Sequence, residues 1–491
     1  MILKFAVKKT KSSWQLLILA CFIGISFWFF HIAADTDAFL TWDGGLYADE
    51  AWNADNALNR YISGNWQTDG LHNFILLMPV MPLIQYVFFE IGQPSLITLR
   101  LPAILFSIIV LGLLLNFIRI RLDKKRSHSS LYLALFLFVS NYELFSWARA
   151  GRIEMPMLAI CLLLYLLVYK FLADKSKVIK KWWGFGSLIT VIFCFALLTR
   201  PTTLVIIGAM FLGLMLMFAN KQITLSKITV IVVATLIGFG LYQIILKTLP
   251  FLLNFTPNST AADVISGNLV FKPENLLNYL TLFSNSLIQA NLALIFLALT
   301  HVALIGIQIF QRKKTNMLDV LFSTFFITYL IFVGYYSYMP PRWVVPVLIP
   351  MVYLVATLPD RLKKATYRNI PIGKLILVLI VLVNLQNTGR CIYYFTNLQY
   401  TKRDVAHAIT RDIQKDLGRK NLKNITLYGS HSSTFSVTNH LPFSYKIPDE
   451  PGKYVVLHGN MGLAPHRAKL IGQYDMLYNY GDMKIHLYKT Y

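Results

Sequence analysis

Residues 35–73 read DTDAFLTWDGGLYADEAWNADNALNRYISGNWQTDGLHN, and the reading of this stretch decides the fold. It holds Asp35, Asp37, Asp43, Asp49, Glu50, Asp55 and Asp69 with a single basic residue, Arg60. The chain around it is apolar and basic. Of its 491 residues, 56% are hydrophobic and 14% charged, against about 25% charged in a soluble domain. Apolar runs of about 20 residues, enough to cross a bilayer core as helix, recur throughout. An acidic, aromatic segment between such runs is an aqueous loop of a polytopic helical membrane protein. A β-barrel does not fit, because barrels alternate in segments of about ten residues.

The net charge of +23 follows the runs rather than forming a nucleic-acid footprint. Lys and Arg gather between spans, as the positive-inside rule requires, and no nucleic-acid-binding motif is present. Residues 14–33, after Lys4, Lys8, Lys9 and Lys11, read as a first span that leaves the N-terminus in the cytoplasm. Further spans are expected at 95–120, 131–147, 155–171, 182–198, 203–218, 228–246, 286–310, 318–336, 344–358 and 375–387. The expected fold is thus all-α and polytopic, with about eleven transmembrane helices in residues 1–389 of the cell (inner) membrane. The first outer loop spans 34–94 and carries interfacial helices, one at 79–91 and one at 50–61 capped by Asp49. From residue 390 the pattern changes. A helix at 401–417 and strands in NITLYGS, KYVVLHG and MKIHLYK predict a small extracytoplasmic α/β domain, 390–491. Cys21, Cys161, Cys194 and Cys391 lack metal or disulfide spacing. His301, inside a span, reads as a hydrogen-bonded structural residue.

The residues able to carry chemistry lie on the expected outer side. Asp49 and Glu50 read either as a general base at a helix start or as a cap and first-turn acid stabilising the helix dipole. Glu154, in WARAGRIEMP, reads either as a local ion pair with Arg149 and Arg152 or as a second carboxylate facing the first across a cleft. Arg200 and Arg342 sit at outer turns where positive-inside bias disfavours them. Guanidinium binds phosphate bidentately, though snorkelling to headgroups is the other reading. Lys247 is a weaker candidate of the same kind. Asp43, Tyr47, Trp52 and Trp66 are candidate sugar or acceptor contacts, with an interfacial aromatic belt as the alternative for the rings.

The order of these pieces resembles the GT-C glycosyltransferases, and within them protein O-mannosyltransferases and the lipid A aminoarabinose transferase. The family's Asp-Glu helix followed by Gly-Asn-Trp is matched at Asp49, Glu50, Ala57, Arg60, Gly64 and Trp66. Arg100-Leu101-Pro102 matches the motif that opens its second span. Arg149 and Glu154 match its second outer loop, and Pro341-Arg342-Trp343 matches a late Pro-Arg-Tyr turn. Two departures stand out. Met81-Pro82-Leu83, preceded by the insertion FILLMPV, replaces Lys-Pro-Pro-Leu, and Glu154 stands where Asp is common.

The resemblance implies inverting sugar transfer from a polyprenyl-phosphate donor to a glycan, lipid or protein acceptor, with Asp49 as base. Arg342, Arg200, Arg149 and Lys247 would bind the leaving phosphate. It implies no required cofactor; a divalent metal, if used, would sit on Asp49 and Glu154. Partners would be the lipid donor, the acceptor and membrane lipids, with no nucleic acid. The alternatives are en bloc oligosaccharide transfer from a lipid diphosphate, a transporter or flippase, and a non-catalytic scaffold.

Overall fold

The computed structural model describes residues 22, 24–26, 28–35, 46–69, 73–122, 129–175, 179–255, 286–335, 345–363, 365–367, 370–398, 400–418, 420–422, 424–429, 432–458, 467–475 and 484–491, without the side chains of 46–52, 179, 180, 286–290, 334, 335, 367, 370 and 458. Helix α1 (Leu46–Ser63) belongs to the acidic stretch, and α2 (Val80–Gly92) follows a short 3-10 turn at Phe74–Leu76. The apolar bundle comprises α3 (Leu96–Leu122), α4 (Ser129–Val139), α5 (Tyr142–Arg149), α6 (Glu154–Ala173), α7 (Ile179–Thr199), α8 (Thr203–Ala219), α9 (Leu225–Leu252), α10 (Ser286–Phe310), α11 (Met317–Tyr335), α12 (Val345–Arg361) and α13 (Ile372–Thr396). Among the described residues six helices are long and apolar enough to cross a membrane, or seven if α4 and α5 form one span. Val80–Gly92, Thr203–Ala219 and Met317–Val333 are shorter apolar helices. Half of the expected first span, 14–33, falls outside the described residues. This is an integral membrane protein.

The structure departs from the sequence reading at particular residues. The run 131–147 is not one helix: α4 and α5 meet at Ser140–Asn141 with a bend of 62°. Asn141 stops one helix and caps the next, its Oδ1 accepting from the Leu144 amide at 3.1 Å. The break is satisfied from neighbouring helices. Asn141 donates to Asn291 at 2.7 Å, and Asn384 donates to the Ser140 hydroxyl at 2.7 Å. Non-helical backbone at membrane depth persists only where protein satisfies it in this way. Helix α13 outruns its expected end, because Asn384, Asn387 and Arg390 interrupt its apolarity yet face this polar junction and Glu143. Lys247, expected in a loop, is an exposed residue of α9. Helix α1 begins at Leu46, so Asp49 lies in its first turn rather than at its cap.

A charged knot joins one end of the bundle. Asp319, at the start of α11, is bonded by Arg121 of α3 at 2.6 Å, Arg361 of α12 at 2.9 Å and the Tyr353 hydroxyl at 2.9 Å. His301 has the structural role expected, its Nδ1 donating to the Leu354 carbonyl at 2.7 Å. The other end of α3, about 30 Å away at 1.5 Å per residue, meets the C-terminal domain. There Asp35 bonds Arg100 at 3.2 Å and accepts from the Lys402 amide at 2.9 Å, capping the next helix.

That domain contains α14 (Thr401–Leu417) and α15 (Ser432–Asn439) on a mixed five-stranded sheet. A hairpin, β1 (Thr366–Tyr367) and β2 (Ile370–Pro371), precedes α13. The sheet comprises β3 (Leu427–Tyr428), β4 (Phe443–Ser444), β5 (Tyr454–His458), β6 (Ala468–Asp475) and β7 (Lys484–Thr490), in the order β4-β3-β5-β7-β6. The strand pair β3–β5 is parallel and β5–β7 antiparallel. Val405, Ile409 and Ile413, four residues apart on α14, bury their common face against Leu427, Val456 and Leu487.

Candidate functional site

The acidic stretch is organised by buried amides. Asn56 donates to the Trp66 carbonyl at 2.8 Å and to Asn73 at 2.9 Å, and accepts from the Ile75 amide at 3.1 Å. Asn59 donates to the carbonyls of Asn65 and Gln67 at 3.1 and 2.7 Å. Arg60 donates to the Gly64 carbonyl and lies over the Trp66 ring. The chain reverses at Gly64, whose φ is +76°. No atom lies within 4 Å of a Cβ built there, so Gly64→Ala tests backbone strain alone. It is expected to cost about 1–2 kcal/mol, read as a lowered melting temperature in detergent. Trp66 is buried against Tyr86, at 5.1 Å between ring centroids, within a cluster of Ala57, Leu58 and Leu96. The motif residues Ala57, Arg60, Gly64 and Trp66 thus build the rigid second half of α1 and its return. The side chains of Asp49, Glu50, Tyr47 and Trp52 lie outside the described residues, as do Asp43 and Arg342.

Beneath α2 lies a cluster of buried charge. Glu154, the first residue of α6, is 1% exposed. It is held by Arg152 at 3.2 Å and by Arg200, from the turn between α7 and α8, at 2.8 Å. Arg152 also stacks on Trp147 at 5.4 Å. Gln85 of α2 donates to the Gly151 carbonyl at 3.2 Å. A Cβ at Gly151 would meet the Leu99 carbonyl at 2.8 Å, so only glycine lets this loop lie against α3. Met78 and Met81 close over the loop at Ile153. Arg149, from α5, points elsewhere: its guanidinium donates to the Tyr394 hydroxyl and the His31 carbonyl, while its Nε has no partner.

The structure therefore brings together Glu154 and Arg200 of the sequence candidates, places Arg149 close in sequence but on other partners, and leaves Lys247 on the exposed side of α9. Of four buried or nearly buried guanidiniums here, Arg100 pairs with Asp35, Arg152 and Arg200 share Glu154, and Arg149 has no carboxylate. Such an excess of positive charge out of water suits an anion. Arg200 is the least enclosed of the three charged groups in this cluster, its side chain 13% exposed against 5% for Arg152 and 1% for the Glu154 carboxylate. Among the described residues no group of three His, Cys, Asp or Glu side chains is placed to hold a metal. Glu154 already spends both oxygens on guanidiniums.

Sequence reasoning missed two roles inside the acidic stretch. Asp35 joins α3 to α14, and Asp55 and Asp69 bond the C-terminal domain. The available signal was the density of Asp in a segment with one basic residue: buried acids need donors, and the nearest donors lie far along the chain.

Comparison with known proteins bears on the whole arrangement. A family described as dolichyl-phosphate-mannose-protein mannosyltransferase matches residues 78–242. No curated protein matches the chain by sequence. ArnT from Cupriavidus metallidurans in its apo state superposes at a TM-score of 0.62 and 12% identity, over 97% of this chain and 98% of that one. The same enzyme bound to undecaprenyl phosphate gives 0.62 and 12%, over 96% and 98%. The oligosaccharyltransferase of Archaeoglobus fulgidus in apo form gives 0.51 and 10%, over 91% and 69%. The chain thus shares the fold of ArnT along nearly its whole length, and residues 78–242 resemble the mannosyltransferase family.

Proposed function

We propose that the chain moves a single sugar from a polyprenyl-phosphate donor to an acceptor hydroxyl or phosphate on the extracytoplasmic side of the cell membrane. In this orientation the N-terminus is cytoplasmic and the C-terminal domain extracytoplasmic. The observation that carries the reading is the Glu154 cluster: a buried site rich in guanidinium, at the end of the bundle that meets α1 and the C-terminal domain. A lipid phosphate is the anion that reaches such a site from within a bilayer. ArnT, matched along nearly the whole chain, is known bound to undecaprenyl phosphate.

The acceptor oxygen attacks the anomeric carbon from the face opposite the phosphate. The bond from that carbon to the phosphate oxygen breaks, and its electron pair leaves with the lipid phosphate. The acceptor proton passes to Asp49, and the configuration inverts. Charge developing on the leaving oxygen is met by Arg200, supported by Arg152 and by Arg342. Preorganised charge of this kind, in a site closed to water, is commonly the largest contribution to catalysis. Glu154 bonds both guanidiniums and so holds them in one cluster.

The test uses purified protein in lipid nanodiscs with a radiolabelled polyprenyl-phosphate sugar and membrane extract as acceptor source, following release of lipid phosphate. Release from the monophosphate donor is the expected result. Turnover only with a lipid-diphosphate oligosaccharide would replace this reading with en bloc transfer. Arg200→Lys is expected to raise the donor KM about tenfold, because a point charge replaces a planar fork.

A further inference from the structure

The acidic stretch and the C-terminal domain meet through two carboxylates the transfer reaction does not use. Asp55 of α1 is fully buried and accepts from the Tyr445 hydroxyl. Ser433, also fully buried and on α15, lies 2.9 Å from the same hydroxyl and bonds Asp55 as well. Asp69 accepts from the backbone amides of Tyr445 and Lys446 at 3.0 and 3.3 Å and from the Ser444 hydroxyl. Val437 of α15 and Phe443 of β4 complete the contact, packed in the cluster that holds Ala54, Ala57 and Trp66. A second bond, from the His440 ring to the Pro94 carbonyl at 2.6 Å, ties the same element to the end of α2. Helix α1 is thus gripped on two sides, by its own return loop through Asn56 and by the C-terminal domain through Asp55. Asp49 lies six residues back, about 9 Å along the same helix.

We propose that Tyr445 and Ser433 are positioning residues: through Asp55 they hold α1, and with it Asp49, in place against the Glu154 cluster, so that seating of the C-terminal domain sets the rate of transfer. The proposal rests on the transfer reaction proposed above.

The junction is also sensitive to protons. Burial pushes the Asp55 carboxyl up to about 7, against the bonds from Tyr445 and Ser433, which lower it, and with a small upward push from Asp69, the acidic group that faces it. Its Oδ1 has no partner, which a neutral acid tolerates better than a carboxylate. The folded state therefore holds a proton that the unfolded chain releases near its ordinary 3.8. Between that value and about 7 the docked junction loses stability as pH rises, and above about 7 the loss is complete.

The experiment measures kcat and donor KM across neutral pH, with hydrogen exchange of residues 432–446 read in the same samples. In the wild type kcat is expected to fall, and exchange to rise, as pH passes through about 7. Asp55→Asn, which still accepts from Tyr445, should abolish both inflections. Tyr445→Phe removes a bond that lowers the Asp55 pKa. It should move the inflection upward and lower kcat about tenfold at unchanged donor KM. Tyr445→Phe with wild-type kcat and profile would overturn the proposal. So would a lower kcat with an unmoved profile, which a mere prop would give. If wild type transfers nothing, the reaction is misassigned; the exchange profile then still tests the junction, and its persistence in Asp55→Asn would overturn it.

Discussion

Asp49→Asn is expected to lower kcat by about 10²–10⁴-fold, the range of a general base, with donor KM nearly unchanged. The asparagine keeps size and position on α1 but cannot take the acceptor proton. Glu50→Gln is expected to cost far less. In an α-helix successive residues are turned by about 100°, so the two positions fall on different rows of α1. Position 49 falls in line with Asn53, Asn56 and Arg60 at spacings of four, seven and eleven residues. Asn56 is the residue that bonds Ile75, just before α2 and the Glu154 cover. Position 50 falls in line with Ala54 and Ala57, which pack in the apolar cluster shared with Val437. Single-turnover release of lipid phosphate, with donor binding measured separately, checks the difference. An Asp49→Asn enzyme with wild-type turnover would make Asp49 a first-turn acid serving the helix dipole and send the search for a base to Glu50.

Much of this protein was legible because a bilayer imposes one rule at a time. Apolar runs and basic linkers placed α3, α6, α8 and α10 to within a few residues, since nothing in lipid competes with the helix for backbone hydrogen bonds. The misses share a cause. Where polar residues enter the bundle, a hydropathy reading treats them as ends. The structure instead uses them as joints, breaking α4 from α5 at Asn141 and letting Asn384 and Asn387 ride inside α13. The site was legible as composition and not as pairing. An acidic stretch and isolated arginines were visible. Which acid binds which donor depends on contacts hundreds of residues apart, such as Asp35 with Lys402 and Asp55 with Tyr445, and no local pattern records them. Of the aromatic candidates, Trp66 reads from sequence as a sugar contact or as part of an interfacial belt. Its ring is spent on Tyr86 and Arg60.

Glu154→Gln is expected to be the most destabilising of these changes. It removes the carboxylate that Arg152 and Arg200 share and leaves two guanidiniums facing a neutral amide in a nearly closed site. Breaking a buried pair from one side costs about 3–5 kcal/mol, because the surviving charge keeps its desolvation penalty without its partner. The expected signature is a markedly lower melting temperature in detergent at neutral pH. The same vacancy makes a prediction that a purely structural ion pair does not share. If the cluster is built to take phosphate, an anion supplied from outside can replace the missing carboxylate. A ligand bound only by the folded state stabilises it in proportion to the logarithm of its concentration over Kd. Undecaprenyl phosphate should therefore raise the melting temperature of Glu154→Gln more than that of the wild type, whereas undecaprenol, with the same chain and no charge, should raise both alike. Equal shifts from the phosphate in the two proteins would place the lipid headgroup elsewhere and leave Arg152 and Arg200 as the mortar of α6 and α7. A larger shift in the variant would put the phosphate beside Arg200.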